Sequence, residues 1–476
     1  MCYVQPVPRI PSRAVILLVT GLPAFLVSLN LLVMAVAFPA LQTSFTHSSR
    51  ADLSWVLNAH NIVFGALLIP GGRAADRWGR RRVFGVGLLV FTAGSLACGL
   101  APTVPWLIAG RIVQGAGSAL VAPASLGLLL AAFPVAQRAT AVTIWGGIAS
   151  LGAALGPTLG ASIVVAAQWR WVFFVYVPIA LTTAALSHLL LAESSEPESG
   201  RIPDWVGVVM LSVALAALAL GIVEGRDWGW GDPRVLGSLL LAVVVLPLFV
   251  WRSATHRAPL LDLTLFRIRS FSFANLAVLI FSVGFFGQVL VGILFLTSIW
   301  HYGLFIAALA ITPTPVTAAL AAAPAGQLAN RFGFRAVCAG GGLLYAAGAI
   351  WLHVAVTAHP NYLAVWLPSA LLLGLGIGIC FPVLSAASVS GLPRTRFAVG
   401  GAVNQAARQL GAVLGVAVAV AVIGSATSAQ GLSSFTDWFL VSGLFAGASA
   451  AVSLLIGSRS QATRPLHAPA LETAHP

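Results

Sequence analysis

Long apolar runs, separated by short polar stretches, fill the chain from about residue 14 to residue 457. Each run is nearly free of charge and about 20 residues or longer, enough to cross a bilayer core at 1.5 Å rise per residue. The pattern predicts fourteen spanning helices: 14–38, 54–72, 83–101, 105–131, 139–165, 171–191, 205–223, 235–251, 272–298, 303–325, 336–356, 362–390, 397–424 and 435–457. Gly and Pro recur inside these runs, as membrane helices allow when neighbouring groups satisfy the backbone.

Composition agrees. The chain is 59% hydrophobic and 8% charged, whereas a soluble domain has about a quarter of its residues charged. An all-α polytopic membrane protein follows. A net charge of +13 would suit nucleic acid, but the basic residues sit in short loops between spans, so topology explains them and no nucleic-acid partner is expected. All 25 basic residues are arginine. With the N-terminus inside, the spans place Arg50, Arg170, Arg226 and Arg234 outside and Arg111 and Arg408 within the bilayer. Every other arginine then lies on the cytoplasmic side. That asymmetry predicts a multi-pass cell-membrane protein with both termini cytoplasmic. Arg9, Arg13 and the small triplet at Ala35–Ala37 resemble a signal peptide, but the apolar run from Ala14 to Leu41 is too long for one. Cys2, Cys98, Cys338 and Cys380 are scattered, so neither a disulfide framework nor a metal site is expected.

The second and third runs meet at Gly72-Arg-Ala-Ala-Asp76-Arg77-Trp-Gly79-Arg80-Arg81-Arg82. A weaker copy follows as Gly326-Gln-Leu-Ala-Asn330-Arg-Phe-Gly333, with six runs around each copy and two extra runs between the sets. Gly72, Asp76, Arg77, Gly79, Arg80 and Arg81 match a signature loop of the major facilitator superfamily, which this chain resembles over about residues 14–457. Ala74 replaces a larger apolar residue of that signature. The resemblance implies two six-helix bundles with a site between them. The twelve-plus-two count resembles the fourteen-span drug:proton antiporter branch. In that family the loop is a conformational latch that joins the halves in the outward-open state.

Two further strings carry the resemblance. Arg111-Ile-Val-Gln114-Gly115-Ala-Gly117 looks like the family's fourth-helix motif, whose arginine is implicated in proton transfer. A mid-helix arginine costs about 2.5–3.5 kcal/mol on insertion scales, so it needs partners inside the bundle, and a structural hub on carbonyls is the competing reading. Gly152, Gly156, Pro157 and Gly160 resemble the antiporter motif of exporters, with Ala161 in place of its last glycine. Their spacing makes a smooth groove with a proline bend.

The chain also departs from that branch. Asn30 stands where a first-helix aspartate is common, and no Asp or Glu lies deep in a run. The remaining proton-coupling candidates are His60, Asp52 and Glu224, with Arg111 as a tuning charge. Imidazole ordinarily titrates near pH 6.5, which suits His60, although a packing histidine is an equal reading. Substrate-path candidates are Asn30, Asn61 and Gln114 in the first half and Asn275, Gln288, Asn404 and Gln405 in the second. Phe281, Phe285 and Phe286 line a cavity or face lipid. Arg408 reads as a snorkelling or carbonyl-binding residue.

The expected layout is a bundle in 1–192, a linker in 193–204, two inserted helices in 205–251, a loop in 252–271, a second bundle in 272–457 and a tail in 458–476. The expected function is secondary export of amphipathic or lipophilic compounds, multidrug efflux by proton antiport. The alternatives are a dedicated lipid or metabolite exporter without that coupling and, more remotely, a non-transporting membrane sensor. No phosphate-binding loop, carboxylate pair or metal cluster points to an enzyme. The expected partners are bilayer, substrate and protons, with no cofactor beyond the proton gradient, and a monomer.

Overall fold

The structure, a computed structural model, describes residues 12–195, 204–225, 227–256, 259–393, 396–424 and 431–457. Most of the expected linker, Arg226 and the tail therefore lie outside the described residues.

Fifteen α-helices and no strand are found among the described residues. The first seven are α1 (Arg13–Ser44), α2 (Arg50–Trp78), α3 (Arg80–Gly99), α4 (Val104–Ala132), α5 (Val135–Ala167), α6 (Arg170–Phe174) and α7 (Tyr176–Leu190). Next come α8 (Trp205–Glu224), α9 (Pro233–Thr255), α10 (Arg269–Ser298), α11 (Leu304–Ile311) and α12 (Pro313–Ala355). Last are α13 (Leu367–Val389), α14 (Phe397–Ile423) and α15 (Gly431–Ser453). A short 3-10 turn, Leu263–Arg267, precedes α10, and a π turn, Tyr362–Trp366, precedes α13.

Local chemistry sets the helix ends. Ser49 accepts from the Asp52 amide while Asp52 accepts from the Ser49 amide, a capping box that opens α2. Thr103 caps α4, Asp204 caps α8 and Asp232 caps α9. Gly79 separates α2 from α3 at φ 104°, a left-handed region that glycine enters without a Cβ penalty. Its counterpart in the sequence repeat, Gly333, interrupts α12 at φ 84° and ψ 158°. The two copies of the loop thus share one backbone device.

Thirteen helices are long and apolar enough to cross a membrane among the described residues. The expected runs 303–325 and 336–356 join into one helical stretch, Leu304–Ala355. The difference from fourteen has a local cause. Gly333 turns the chain within a single residue, so no non-helical gap separates the two pieces.

In the first half α1 lies along α5, and α4 packs on both α2 and α3. In the second, α10 contacts α14 and α15, and α12 contacts α13 and α15. The halves meet where α2 runs against α14, α1 against α10, and α5 against α11 and α12. Helix α8 pairs with α9 and touches both α2 and α14. The α8–α9 pair is tied at one end by Arg252, whose Nη2 lies 2.7 Å from Asp204 Oδ1.

Candidate transport site

Helix α4 approaches α2 backbone to backbone. A Cβ on Gly115 would lie 2.8 Å from the His60 carbonyl oxygen, so only glycine lets the two helices sit this close. One turn earlier on each helix, Arg111 Nε donates to the Val56 carbonyl at 2.9 Å. Arg111 Nη1 donates to Asn30 Oδ1 at 2.9 Å and to Gln114 Oε1. Gln114 Nε2 donates to Ser95 Oγ at 2.8 Å, and Ser95 Oγ donates to the Phe91 carbonyl. The network links α1, α2, α3 and α4 around a guanidinium that is 1% exposed. All its hydrogen-bond acceptors are neutral. The structure thus brings Asn30, Arg111 and Gln114 together.

Around this hub lie polar groups without partners. His60 is fully buried and neither ring nitrogen makes a hydrogen bond. Its ring lies 5.9 Å from that of Phe64. Both side-chain polar atoms of Asn58, the Oδ1 of Asn61 and the Nδ2 of Asn30 are also buried and unpartnered. Across the seam, Gln409 on α14 leaves both amide atoms unpaired, and its Cβ lies 3.1 Å from where a Cβ on Gly65 would be. A buried unsatisfied polar atom costs about 1–3 kcal/mol, so this many near one inter-helix seam marks a place where water, a proton or a ligand can enter.

The second-half candidates divide into two groups. Asn404 Nδ2 donates to Asn275 Oδ1 at 3.1 Å, Ser385 Oγ donates to Asn404 Oδ1 at 2.8 Å, and Asn275 Nδ2 donates to the Phe271 carbonyl. These amides are satisfied and tie α10, α13 and α14 together. Gln405, the next residue on α14, is half-buried. Gln288, by contrast, has a buried, unpartnered Oε1. It lines a cavity of about 40 Å³ between α10, α12 and α13, with Phe285, Tyr345, Trp366 and Ser369. Phe281 and Phe286 are buried inside the protein and do not face lipid.

Arg408 departs from the expectation of snorkelling or carbonyl binding. No carbonyl bond to it is found among the described residues. Its guanidinium carbon instead lies 5.3 Å from the Phe381 ring centroid, and its Nε is buried without a partner.

The α2–α3 loop is held chiefly by an acid that the sequence did not single out. Asp76 pairs with Arg80 at 2.7 Å, one turn on. Glu193, which follows α7, accepts from the backbone amides of Arg81 at 2.9 Å and Arg82 at 3.2 Å. Its carboxylate thus caps α3, where free amides and the helix dipole favour an anion. A Cβ on Gly79 would lie 2.7 Å from the Glu193 carboxyl carbon. Arg81 Nη1 donates to the Leu191 carbonyl, Arg77 is exposed, and Gly72 faces Pro123. Arg73 reaches the Pro259 carbonyl at 2.9 Å, beyond the first half.

Gly152, Gly156 and Gly160 form the α5 face that meets α1. Cβ atoms there would lie 2.3 Å from the Phe25 carbonyl oxygen, 3.3 Å from Leu32 Cβ and 2.8 Å from Val33 Cγ1. Pro157 lies inside the same helix. The next residue, Thr158, places its Oγ1 2.8 Å from Oγ1 of Thr312, where α11 gives way to α12 in the second half. Of the remaining acids, Asp52 is committed to its capping box and Glu224 is buried at the end of α8. No cluster of His, Cys, Asp and Glu suited to a metal occurs among the described residues.

Comparison with known proteins places this geometry. The family model described as Major Facilitator Superfamily matches residues 22–416. The multidrug resistance protein Stp of Mycobacterium tuberculosis is 32% identical over 419 residues, 88% of this chain and 77% of that protein. The tetracenomycin C resistance and export protein of Streptomyces glaucescens is 30% identical, over 84% of this chain and 74% of that one. The cephamycin export protein of Amycolatopsis lactamdurans is 33% identical, over 93% and 92%. Among solved structures, a bacterial homologue of the human lysosomal transporter Spinster superposes with a TM-score of 0.66 at 17% identity, over 94% of this chain and 97% of that one. A bacterial homologue of the human drug peptide transporters superposes at 0.61 and 17%, over 93% and 98%. Family and relatives identify a multi-pass membrane transporter and not an enzyme. On these matches the chain belongs to the major facilitator superfamily.

Proposed function

We propose that the protein is a secondary exporter of amphipathic compounds that exchanges substrate for protons by alternating access. The observation that carries this reading is the buried, unpartnered imidazole of His60 beside the all-neutral coordination of Arg111. Antiport needs a group whose protonation biases two conformations. His60 lies on the seam helix α2 and is paired to nothing, and imidazole is the side chain whose two protonation states are most readily exchanged in proton-coupled switches. Arg111 and Gln114 tune it, and the Asn30 amide replaces an acid with a neutral acceptor. The names of the export and resistance relatives support outward movement of small molecules.

The rest of the layout belongs to the same proposal. The stretch Leu304–Ala355 crosses twice with its turn at Gly333, which gives fourteen crossings and both termini in the cytoplasm. Bundles in 1–192 and 272–457 rock about the α2–α14 and α5–α11 seams, and the two helices in 205–251 cover the first of these. The Gly72–Arg81 loop is the conformational latch, and Gly152, Gly156, Pro157 and Gly160 give the α1–α5 unit its rigidity. The protein works as a monomer without a cofactor.

The test uses purified protein in liposomes under an imposed pH gradient, following amphipathic dye uptake and internal pH together. Dye movement that dissipates the gradient, and its uncoupling in His60→Ala, are expected. Dye movement indifferent to the gradient would refute antiport. It would favour the second reading, a dedicated lipid or metabolite exporter without proton coupling, to which Asn30 in place of an acid also points.

A further inference from the structure

Arg111 and Arg408 lie deep inside spanning helices, away from the helix ends and from the Gly333 turn, and the described acids leave both without a counter-charge. Asp437 is the acid farthest inside a spanning helix among the described residues, six positions after the start of α15, and it is exposed. Asp52 and Asp76 lie within three residues of the ends of α2, and Glu224 is the last residue of α8. Among the described residues, the charges deep inside the spans are therefore cationic.

The two arginines differ in how they are held. Arg111 is sealed among neutral acceptors. Arg408 makes no hydrogen bond or ion pair among the described residues, is only half-buried, and leaves its Nε unpartnered. It lies roughly 16 Å from one end of α14 and 22 Å from the other at 1.5 Å per residue, too deep for its head to reach water at either end of the helix. What it faces is the Phe381 ring, 5.3 Å away. Phe381 in turn stands edge-on to Phe281 at 5.2 Å and to Phe285 at 5.3 Å, and Phe285 lines the cavity that holds the unpaired Gln288 oxygen.

An uncompensated guanidinium at mid-membrane is costly unless something pairs with it. With no carboxylate among the described residues to do so, the partner that fits is a ligand anion with an aromatic or apolar body. We infer that Arg408 is the recognition point for the anionic group of the substrate, a carboxylate or sulfonate, and that Phe381 and Phe285 hold the substrate's ring system beside it. A planar guanidinium gives such groups two parallel hydrogen bonds, and the Phe381 face keeps it oriented. This rests on the export reading and narrows it, since anionic amphiphiles are favoured over lipophilic cations.

The test compares two probes of one skeleton, anilinonaphthalenesulfonate and the uncharged phenylnaphthylamine, on full-length protein. Binding is read as the shift in melting temperature of the purified protein, and transport as uptake into proteoliposomes. Wild type is expected to bind and move the sulfonate at least about tenfold better than the neutral amine. Arg408→Gln is expected to bring the sulfonate down to the level of the neutral probe measured on the same variant, and Arg408→Lys to keep part of the preference. Equal handling of both probes by wild type, or a preference that survives in Arg408→Gln, would overturn the assignment. Sulfonate binding that depends on Arg408 without transport of either probe would uphold the anion site and refute export.

Discussion

Asn30 Oδ1 accepts a hydrogen bond from Arg111 Nη1 at 2.9 Å, with both side chains buried. The bond joins α1 to α4 through a neutral acceptor, while the other amide atom of Asn30 stays unpartnered. Asn30→Ala leaves a guanidinium N–H buried and unpaired. The expected cost is about 1–3 kcal/mol, read as a lower melting temperature. Asn30→Asp is expected to gain a charge-assisted bond at the same place and to make export depend more steeply on pH than in wild type. A pH profile that Asn30→Asp leaves unchanged would separate Asn30 from coupling.

The glycines of the α5 motif make a graded prediction. At Gly152 a Cβ would sit 2.3 Å from a backbone oxygen of α1, which cannot move without the whole helix. At Gly156 the nearest atom is a side-chain carbon at 3.3 Å. Gly152→Ala is therefore expected to destabilise by about 1–3 kcal/mol, as overpacking does, and Gly156→Ala by less. Melting curves of the two purified variants check the order, and equal losses would mean that α1 and α5 pack less tightly than these distances require.

Much of this architecture is legible in the order of residues alone. Runs of apolar residues long enough to span announce themselves, and the paired glycines Gly79 and Gly333 appear in the repeated loop because their left-handed backbone demands glycine. Arg111 and Gln114 are legible too, because a charge inside an apolar run must find partners. Their acceptors are not all legible. The Val56 carbonyl has no side-chain signature, and Asn58 and Gln409 look like any polar residue until the helix face is known. Glu193 is hidden differently. It lies 112 positions from Arg81, in a stretch that composition marks only as a polar linker, and only folding brings it onto the α3 amides.

Glu193→Gln tests that placement. The neutral amide can still accept one backbone hydrogen bond, but it loses the charge that suits a helix N-terminus and its proximity to Arg81 and Arg82. About 1 kcal/mol of stability is expected to go, in the range of helix-capping losses. Gly79→Ala is expected to be worse, since it strains the backbone and collides with the same carboxyl. A Gly79→Ala variant as stable as wild type would contradict the left-handed turn.

The Asp204–Arg252 pair gives a pH dependence with a definite sign. Burial pushes the Asp204 carboxyl up, but hydrogen bonds from Arg252 and the Gly207 amide outweigh it and hold the group below the usual carboxylate range. A lowered folded value means the pair stabilises fully above the unfolded value, about 3.9, and that this contribution fades as pH falls through the folded value. Wild type should therefore hold its α8–α9 contribution down to about pH 4 and lose it in stronger acid. The Asp204 side chain is 0% exposed and that of Arg252 27%, so Asp204→Asn is expected to cost about 2–3 kcal/mol at pH 7, somewhat less than a fully buried pair. The gap between variant and wild type should close on acidification, and a gap independent of pH would rule out this charge as its source.

The hydroxyls of Thr158 and Thr312, 2.8 Å apart, join the first half to the second where α5 meets the α11–α12 break. If the halves rock, this contact must open in every cycle. Substituting both by cysteine places two sulfur atoms close enough for a disulfide, whose bond is about 2.05 Å. The native cysteines that the structure describes, Cys98, Cys338 and Cys380, are buried and do not compete readily for oxidant. Oxidation of the double variant is expected to stop uptake into proteoliposomes, and reduction to restore it. Each single cysteine variant should stay active in oxidant. Thr158→Val, which removes one hydroxyl and keeps the volume, is expected to weaken the closed arrangement by about 1 kcal/mol and shift the balance between the two states severalfold. Full transport by a cross-linked double variant would show that this seam stays shut throughout the cycle, and alternating access would then have to open elsewhere.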